Sequence, residues 1–261
     1  MTLQFTKYQG TGNDFIMLDH THESHDNLSI AVISALCDRK FGIGADGLIA
    51  IKRHSSLDFE VVYYNADGTQ SFCGNGARCA VAFAHTLGLL KSPHTTFMAI
   101  DGPHEAWLCE DVVRLKMANV PPIIVLDNGF EVQTGSPHYV LLDANHQPSH
   151  IIEVGHQIRY NDTYRKEGIN VNLMAIQENF IEVATYERGV EDETLSCGTG
   201  VTACALVYAQ LNHLQTGQIQ IQTKGGQLLV EWQVNPDRSF SEVYLTGPAK
   251  CVYNGTYELK G

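Results

Sequence analysis

Cys73 and Cys197 are the residues whose setting calls for chemistry. Cys73 opens the phrase Cys73-Gly74-Asn75-Gly76, and Cys197 opens Cys197-Gly198-Thr199-Gly200, 124 positions later (197 − 73) in a chain of 261 residues. Each cysteine precedes a Gly-rich turn that leads into an apolar helical pattern. A thiol at a helix N-terminus is stabilised as the thiolate by the dipole and the unpaired N–H groups. Nucleophilic catalysis needs one such thiol and a base. Inversion of a stereocentre needs two groups, one to take the α-proton from one face and one to return a proton to the other. Two cysteines at matching places in two similar segments fit that second chemistry.

The turns offer a further function. The N–H groups that open the two helices can hold a carboxylate. That carboxylate gains charge when the neighbouring carbon is deprotonated, so the same donors stabilise the transition state. The glycines let the backbone approach closely. Thiolate and thiol are then expected to titrate as a coupled pair.

The elements that position these turns repeat. Thr11-Gly12-Asn13-Asp14-Phe15 resembles Thr134-Gly135-Ser136-Pro137-His138, and Phe59-Glu60-Val61 parallels Ile181-Glu182-Val183. Similarity at one offset over many segments indicates two copies of one unit. Each copy reads as short strands, the Cys-Gly turn, one buried helix and a strand pair. The helices are expected over 77–87 and 201–211, with glycine stops at Gly88 and before Gly217. The expected strand pairs are 95–100 with 106–108 and 218–223 with 227–234. The linker is placed at Ala118–Pro122, where paired prolines punctuate the chain.

Composition limits the alternatives. The net charge of −12 argues against nucleic acid and anionic membrane as partners. No apolar run is long enough for a membrane span, and the N-terminus lacks the pattern of a signal peptide, so a cytoplasmic protein is expected. Seven cysteines without a signal peptide or a CxxC pair argue against both a disulfide framework and a zinc knuckle. Cys37, Cys79, Cys109, Cys204 and Cys251 read as packing residues. Gly42-Ile43-Gly44-Ala45-Asp46-Gly47 matches GxGxxG, but helix precedes it and strand follows, the reverse of a dinucleotide site. His20, His22 and His25 lack ligand spacing and read as a solvated loop; no metal is expected.

Three segments together resemble the diaminopimelate epimerase family: Gly10-Thr11-Gly12-Asn13-Asp14-Phe15; Asn65-Ala66-Asp67-Gly68 with Cys73-Gly74-Asn75-Gly76-Ala77-Arg78-Cys79; and Glu187-Arg188-Gly189 with Cys197-Gly198-Thr199-Gly200. The resemblance covers nearly the whole chain. It implies an α/β (α+β) fold of two pseudo-symmetric domains, each a central helix wrapped by mostly antiparallel strands, with the active site in the cleft between them. The domains would be 1–118 with Cys73, joined by the C-terminal strand 249–261, and 119–248 with Cys197. It implies epimerisation of LL- to meso-diaminopimelate without a cofactor, in lysine and peptidoglycan precursor biosynthesis, usually by a homodimer.

Residue by residue, Cys73 and Cys197 match the family's catalytic thiols. Gly74, Asn75, Gly198 and Thr199 match its carboxylate-binding turns. Asn13, Asn65, Asn170 and Arg188 match its substrate-binding residues, and Glu187 and His138 match residues beside the thiols. The chemistry agrees: Arg188 can fork to a distal carboxylate, the asparagines can both donate and accept, Glu187 can pair with an ammonium group, and His138 can relay a proton. Two positions depart from the family pattern. Ser136 stands where Asn is common, and Gly47 where some members carry Gln. The alternatives are a proline- or hydroxyproline-type racemase of the same fold, or a relative that only binds a small acid.

Overall fold

The computed structural model describes residues 2–22, 28–143 and 150–259. The chain divides into two compact units, Met1–Leu115 with Gly247–Gly261, and Lys116–Thr246.

The first unit contains β1 (Thr2–Gly10), β2 (Asn13–Asp19), α1 (Ile30–Cys37), β3 (Gly47–Lys52), β4 (Phe59–Asn65), α2 (Gly74–Thr86), β5 (His94–Ala99), β6 (Gly102–Cys109) and β7 (Val112–Lys116, whose last residue belongs to the second unit). The C-terminal strand Lys250–Glu258 returns to pair antiparallel with β1. Pairing then runs β1–β2 antiparallel, β2–β3 parallel, β3–β4 antiparallel, β4–β5 parallel, and β5–β6 and β6–β7 antiparallel.

The second unit contains β8 (Ile124–Leu126), β9 (Gly129–Gln133), β10 (Pro137–Leu142), α3 (Ile151–Arg159), β11 (Asn170–Ile176), β12 (Phe180–Glu187), β13 (Asp192–Thr194), α4 (Gly198–Leu211), β14 (Thr216–Thr223), β15 (Gly226–Val234) and β16 (Phe240–Pro248, which ends in the first unit). From β9 onward the pairing repeats the first unit: antiparallel to β10, parallel to β11, antiparallel to β12, parallel to β14, then antiparallel through β15 and β16. The repeat seen in the sequence is a repeat of strand connectivity. The short β13, paired with β12, takes up the segment between Glu187 and Cys197.

α2 and α4 are the central helices. α2 packs against β1, β2, β3, β4 and β6, and α4 against β9, β10, β11, β12, β14 and β15. Surrounded in this way, they carry small or apolar residues around most of their circumference. They begin three residues before the expected positions because their glycines are already helical. α2 ends as expected: Gly88 adopts φ +72°, its N–H bonds to the His85 carbonyl, and the Leu89 N–H bonds to the Ala84 carbonyl. α4 does not end at a glycine. His213 takes the same left-handed position at φ +54°, with bonds from His213 to Gln210 and from Leu214 to Ala209, while Gly217 lies inside β14. Histidine tolerates that conformation better than most side chains, so the Schellman geometry survives without glycine.

The GxGxxG segment connects α1 to β3, in the order that argued against a dinucleotide site. α3 carries no signal strong enough to have been expected. No described helix is long and apolar enough to cross a membrane.

Candidate active site

In the first unit, Cys73 is the N-cap of α2, with extended backbone (φ −128°, ψ 115°), and its Sγ accepts from the Gly76 N–H at 3.4 Å. The sulfur also donates to Asn13 Oδ1 at 3.6 Å, and Asn75 Nδ2 donates to the same oxygen at 3.3 Å. Asn13 sits at the start of β2 because the β1–β2 turn, with Thr11 at φ 50° and Gly12 at φ 86°, brings it over the helix start.

Behind Asn13 lies a charged chain. Asn13 Nδ2 donates to Asp46 Oδ2 at 2.6 Å, Arg39 bridges Asp46 (2.7 Å) and Asp14 (2.6 Å), and Lys7 pairs with Asp14 at 2.8 Å. Burial alone would raise the Asp14 pKa, but Arg39 and Lys7 outweigh it and hold the carboxyl at about 2.

Asn65 ends β4 and is held by its own turn. Its Nδ2 donates to the Thr69 carbonyl, Thr69 Oγ1 and Ser71 Oγ, while Tyr63 Oη donates to its Oδ1 at 2.8 Å. Tyr63 also explains Gly47. A Cβ at position 47 would lie 2.5 Å from the Tyr63 ring and 2.6 Å from the Tyr64 carbonyl, so Tyr63 occupies the space a longer residue would take. A shallow pocket adjoins Cys73 and is walled by Tyr63, Phe72, Ala77 and Ile100. Arg78, on α2, is fully buried: Nη2 donates to Thr11 Oγ1 at 3.2 Å, while Nε and Nη1 have no hydrogen-bond partner among the described residues.

In the second unit, Cys197 is the N-cap of α4 with matching backbone (φ −119°, ψ 112°), but its side chain makes no capping bond. Its Sγ lies 3.4 Å from Thr199 Oγ1, and Thr199 Oγ1 lies 2.9 Å from His138 Nε2. His138 Nδ1 faces Asn172 Nδ2 at 3.1 Å. Burial drives the His138 pKa down to about 3, with the positive charge of Arg188 acting the same way, so the imidazole is neutral at physiological pH.

Asn170 is buried and its amide is committed. Nδ2 donates to Ser136 Oγ (2.9 Å) and the Pro137 carbonyl (3.2 Å), and Oδ1 accepts from the Arg188 backbone N–H (2.9 Å). Ser136 therefore closes a bond within the unit. Arg188 is exposed, its Nη1 donating to the Glu167 carbonyl at 2.9 Å, and it follows Glu187, the last residue of β12. Gly74 and Gly198 are the first residues of α2 and α4, and Asn75 and Thr199 the second.

The remaining cysteines divide by environment. Burial pushes Cys37 up to about 11 and Cys79 up to about 12, and raises Cys204 as well; none is poised to ionise. Cys109 and Cys251, expected in packing positions, are exposed near the ends of their strands. Their apolar neighbours in sequence gave no sign of which face they occupy. His20 is buried after β2, His22 is exposed, and His25 lies outside the described residues. Sequence reasoning missed Tyr63, Asp46 and Asn172, whose only signals were a polar residue on a strand or beside a glycine.

A sequence profile of the diaminopimelate epimerase family matches residues 5–117 and 130–252. A diaminopimelate epimerase of Flavobacterium psychrophilum is 45% identical over 258 residues, covering 97% of this chain and 100% of its own. One of Chlorobaculum tepidum is 39% identical over 261 residues, covering 96% and 99%. Among solved structures, a Bacillus anthracis protein of the PhzF phenazine biosynthesis family superposes with TM-score 0.75 at 10% identity, covering 99% of this chain and 100% of that one. A probable proline racemase of Agrobacterium radiobacter, with bound carbonate, gives 0.71 at 14%, covering 99% and 93%. These two likenesses concern the fold alone.

Proposed function

The chain belongs to the diaminopimelate epimerase family, and from that premise we propose how its residues invert one α-carbon of LL-2,6-diaminopimelate to give the meso isomer. One of Cys73 and Cys197 is the thiolate that removes the α-proton; the other is the thiol that returns a proton from the opposite face. The N–H groups at the starts of α2 and α4 hold the α-carboxylate and stabilise the charge it gains in the transition state. Both acid and base come from the protein, so the reaction needs no cofactor.

The observation that carries this reading is that each unit sets its cysteine at the N-cap of a buried, glycine-opened helix beside an amide or hydroxyl partner. Arg188 is the partner for the distal carboxylate and Glu187 for the distal ammonium. Asn13, Asn65 and Asn75 complete the polar lining, and Asn170 fixes the backbone of Arg188. We place the enzyme in the cytoplasm as a homodimer, in lysine and peptidoglycan precursor synthesis; light scattering is expected to give twice the chain mass of 28.8 kDa.

Solvent deuterium uptake at the α-carbon tests the reaction. Uptake is expected with LL-diaminopimelate and not with proline, and uptake with proline alone would reverse the assignment. Cys73→Ala and Cys197→Ala are each expected to lower kcat by about 10²–10⁴-fold, the range for losing a general acid or base. Turnover unchanged by either substitution would end the two-thiol mechanism.

A further inference from the structure

The hairpin that carries Arg188 is built against the local preference of its backbone. β12 and β13 pair from Thr185↔Thr194 to Glu187↔Asp192, which leaves Arg188, Gly189, Val190 and Glu191 as the connecting loop. The Val190 and Glu191 N–H groups both bond to the Glu187 carbonyl, at 3.2 and 2.8 Å. Two loop residues are left-handed, Gly189 at φ 93° and Glu191 at φ 60°. Glycine takes that conformation freely, whereas glutamate takes it where its surroundings impose it.

Those surroundings are four donors converging on one carboxylate. Glu191 Oε2 accepts from Tyr160 Oη at 2.9 Å and from Tyr186 Oη at 3.1 Å. Oε1 accepts from the Gly189 N–H at 3.1 Å and lies 3.4 Å from Arg159 Nε. Burial alone would raise the Glu191 pKa, but the Gly189 N–H, the two tyrosine hydroxyls and Arg159 outweigh it and hold the carboxyl ionised. Burial and the bond to Glu191 push Tyr186 up to about 12, so it remains a donor. Arg159 and Tyr160 come from the end of α3, Tyr186 from β12 and Gly189 from the loop itself. α3 is seated on β12: a Cβ at Gly155 would stand 2.4 Å from Tyr186 Cβ, so the helix backbone lies directly on the tyrosine.

The cluster extends to Arg188. Gly168, at φ 77°, lies between the two arginines: a Cβ there would stand 2.5 Å from Arg188 Cδ and 2.8 Å from Arg159 Cζ. Arg188 Nη1 donates to the Glu167 carbonyl, and Arg159 Nη1 donates to the Tyr164 and Arg165 carbonyls at 3.4 Å. Arg159 therefore joins Glu191 to the 164–168 segment on which Arg188 rests. Asn170 holds the first residue of the loop, through the Arg188 N–H, and the Glu191 carboxylate holds the last.

We propose that Glu191 is a positioning residue for substrate recognition: its carboxylate ties the hairpin to α3 and so sets the direction in which Arg188 meets the distal carboxylate of the substrate. This rests on the assignment of Arg188 to that carboxylate and adds the group that aims it. A planar guanidinium forks to a carboxylate only in one orientation, and a side chain held there in advance loses less freedom on binding. The effect belongs to binding, so it falls on KM rather than on proton transfer at the thiols.

The test is steady-state kinetics with LL-diaminopimelate, with thermal unfolding in parallel. Glu191→Gly removes the carboxylate and relieves the left-handed strain. It is expected to raise KM about tenfold, the scale of ordering one side chain at a binding site, and to lower kcat by less than about twofold. Its thermal midpoint is expected to stay within about 3 °C of the parent's, because the relieved strain offsets the lost bonds. Tyr160→Phe removes one donor at an exposed position and leaves the loop intact, so it reports even if Glu191→Gly fails to fold; KM is expected to rise about threefold. Arg188→Lys keeps the charge but not the fork, and adding Glu191→Gly to it is expected to raise KM by less than about twofold more. A KM indifferent to Glu191→Gly and Tyr160→Phe overturns the assignment, as does a full further rise in the Arg188→Lys background. A lowered thermal midpoint with KM unchanged marks a purely structural carboxylate and overturns it equally. A parent chain inactive on LL-diaminopimelate fails the functional reading instead, whereas an active parent whose KM ignores Glu191 fails this assignment alone.

Discussion

At Gly47 the absent side chain has a steric cause. The Tyr63 ring fills the space beside it, packs edge-on against Phe15 with ring centroids 5.9 Å apart, and sends its hydroxyl to Asn65. Tyr63 thus fixes an asparagine assigned to the substrate without being a candidate itself. Gly47→Gln is expected to destabilise by about 1–3 kcal/mol through overpacking, seen as a thermal midpoint several degrees lower. Tyr63→Ala in the same chain is expected to restore most of that loss; a Gly47→Gln midpoint equal to the parent's would contradict the steric account. Cys73, Cys197 and their turns could be recognised from residue type and spacing alone. Tyr63 and Asn172 could not, because what matters in them is proximity to residues far away in the chain.

The β1–β2 hairpin carries Lys7 and Asp14, and the α1–β3 connection adds Arg39 and Asp46; together they hold Asn13 over α2. Asp14 has its pKa lowered from 3.8 to about 2, so between those values the unfolded chain binds more protons than the native one. The stability it contributes is complete above about pH 4 and is lost as pH falls toward 2. His138, lowered from 6.5 to about 3, loses its contribution over a higher window, from about pH 6.5 to pH 3. Asp14→Asn is therefore expected to flatten only the lower part of the acid-stability curve, measured by chemical unfolding at a series of pH values. A parallel curve for Asp14→Asn would show that the pairs do not lower that pKa. The strands and central helices of this framework follow from local patterns, but α3 and the His213 helix end do not. Left-handed φ at His213 goes with the two carbonyl bonds closed by its own N–H and that of Leu214, which residue type alone does not announce.

For the molecule as a whole, the repeat is the organising fact: the same succession of parallel and antiparallel pairings builds both units. The first unit is completed by both chain ends, since β1 pairs with Lys250–Glu258 from Thr2↔Glu258 to Gln9↔Lys250. Truncation after Pro248 exposes the β1 edge and is expected to strip hydrogen-exchange protection from β1 and β2 while β10–β12 keep theirs. Equal loss in both units, or none in β1, would refute that division. The same repeat accounts for two cysteines at matching helix starts.

The sequence by itself determined the repeat, the two thiols at glycine-opened helices and the α/β class, because each depends on residue type and local spacing. Family membership rests on the matched profile and relatives. Tertiary structure alone decided how the amides are turned: Asn172 Nδ2 faces the Tyr139 carbonyl and Asn13 Nδ2 the Asp46 carboxylate, partners brought together by β10–β11 and β2–β3 pairing. Local patterns record which residues are polar; only the fold supplies the acceptors that orient them.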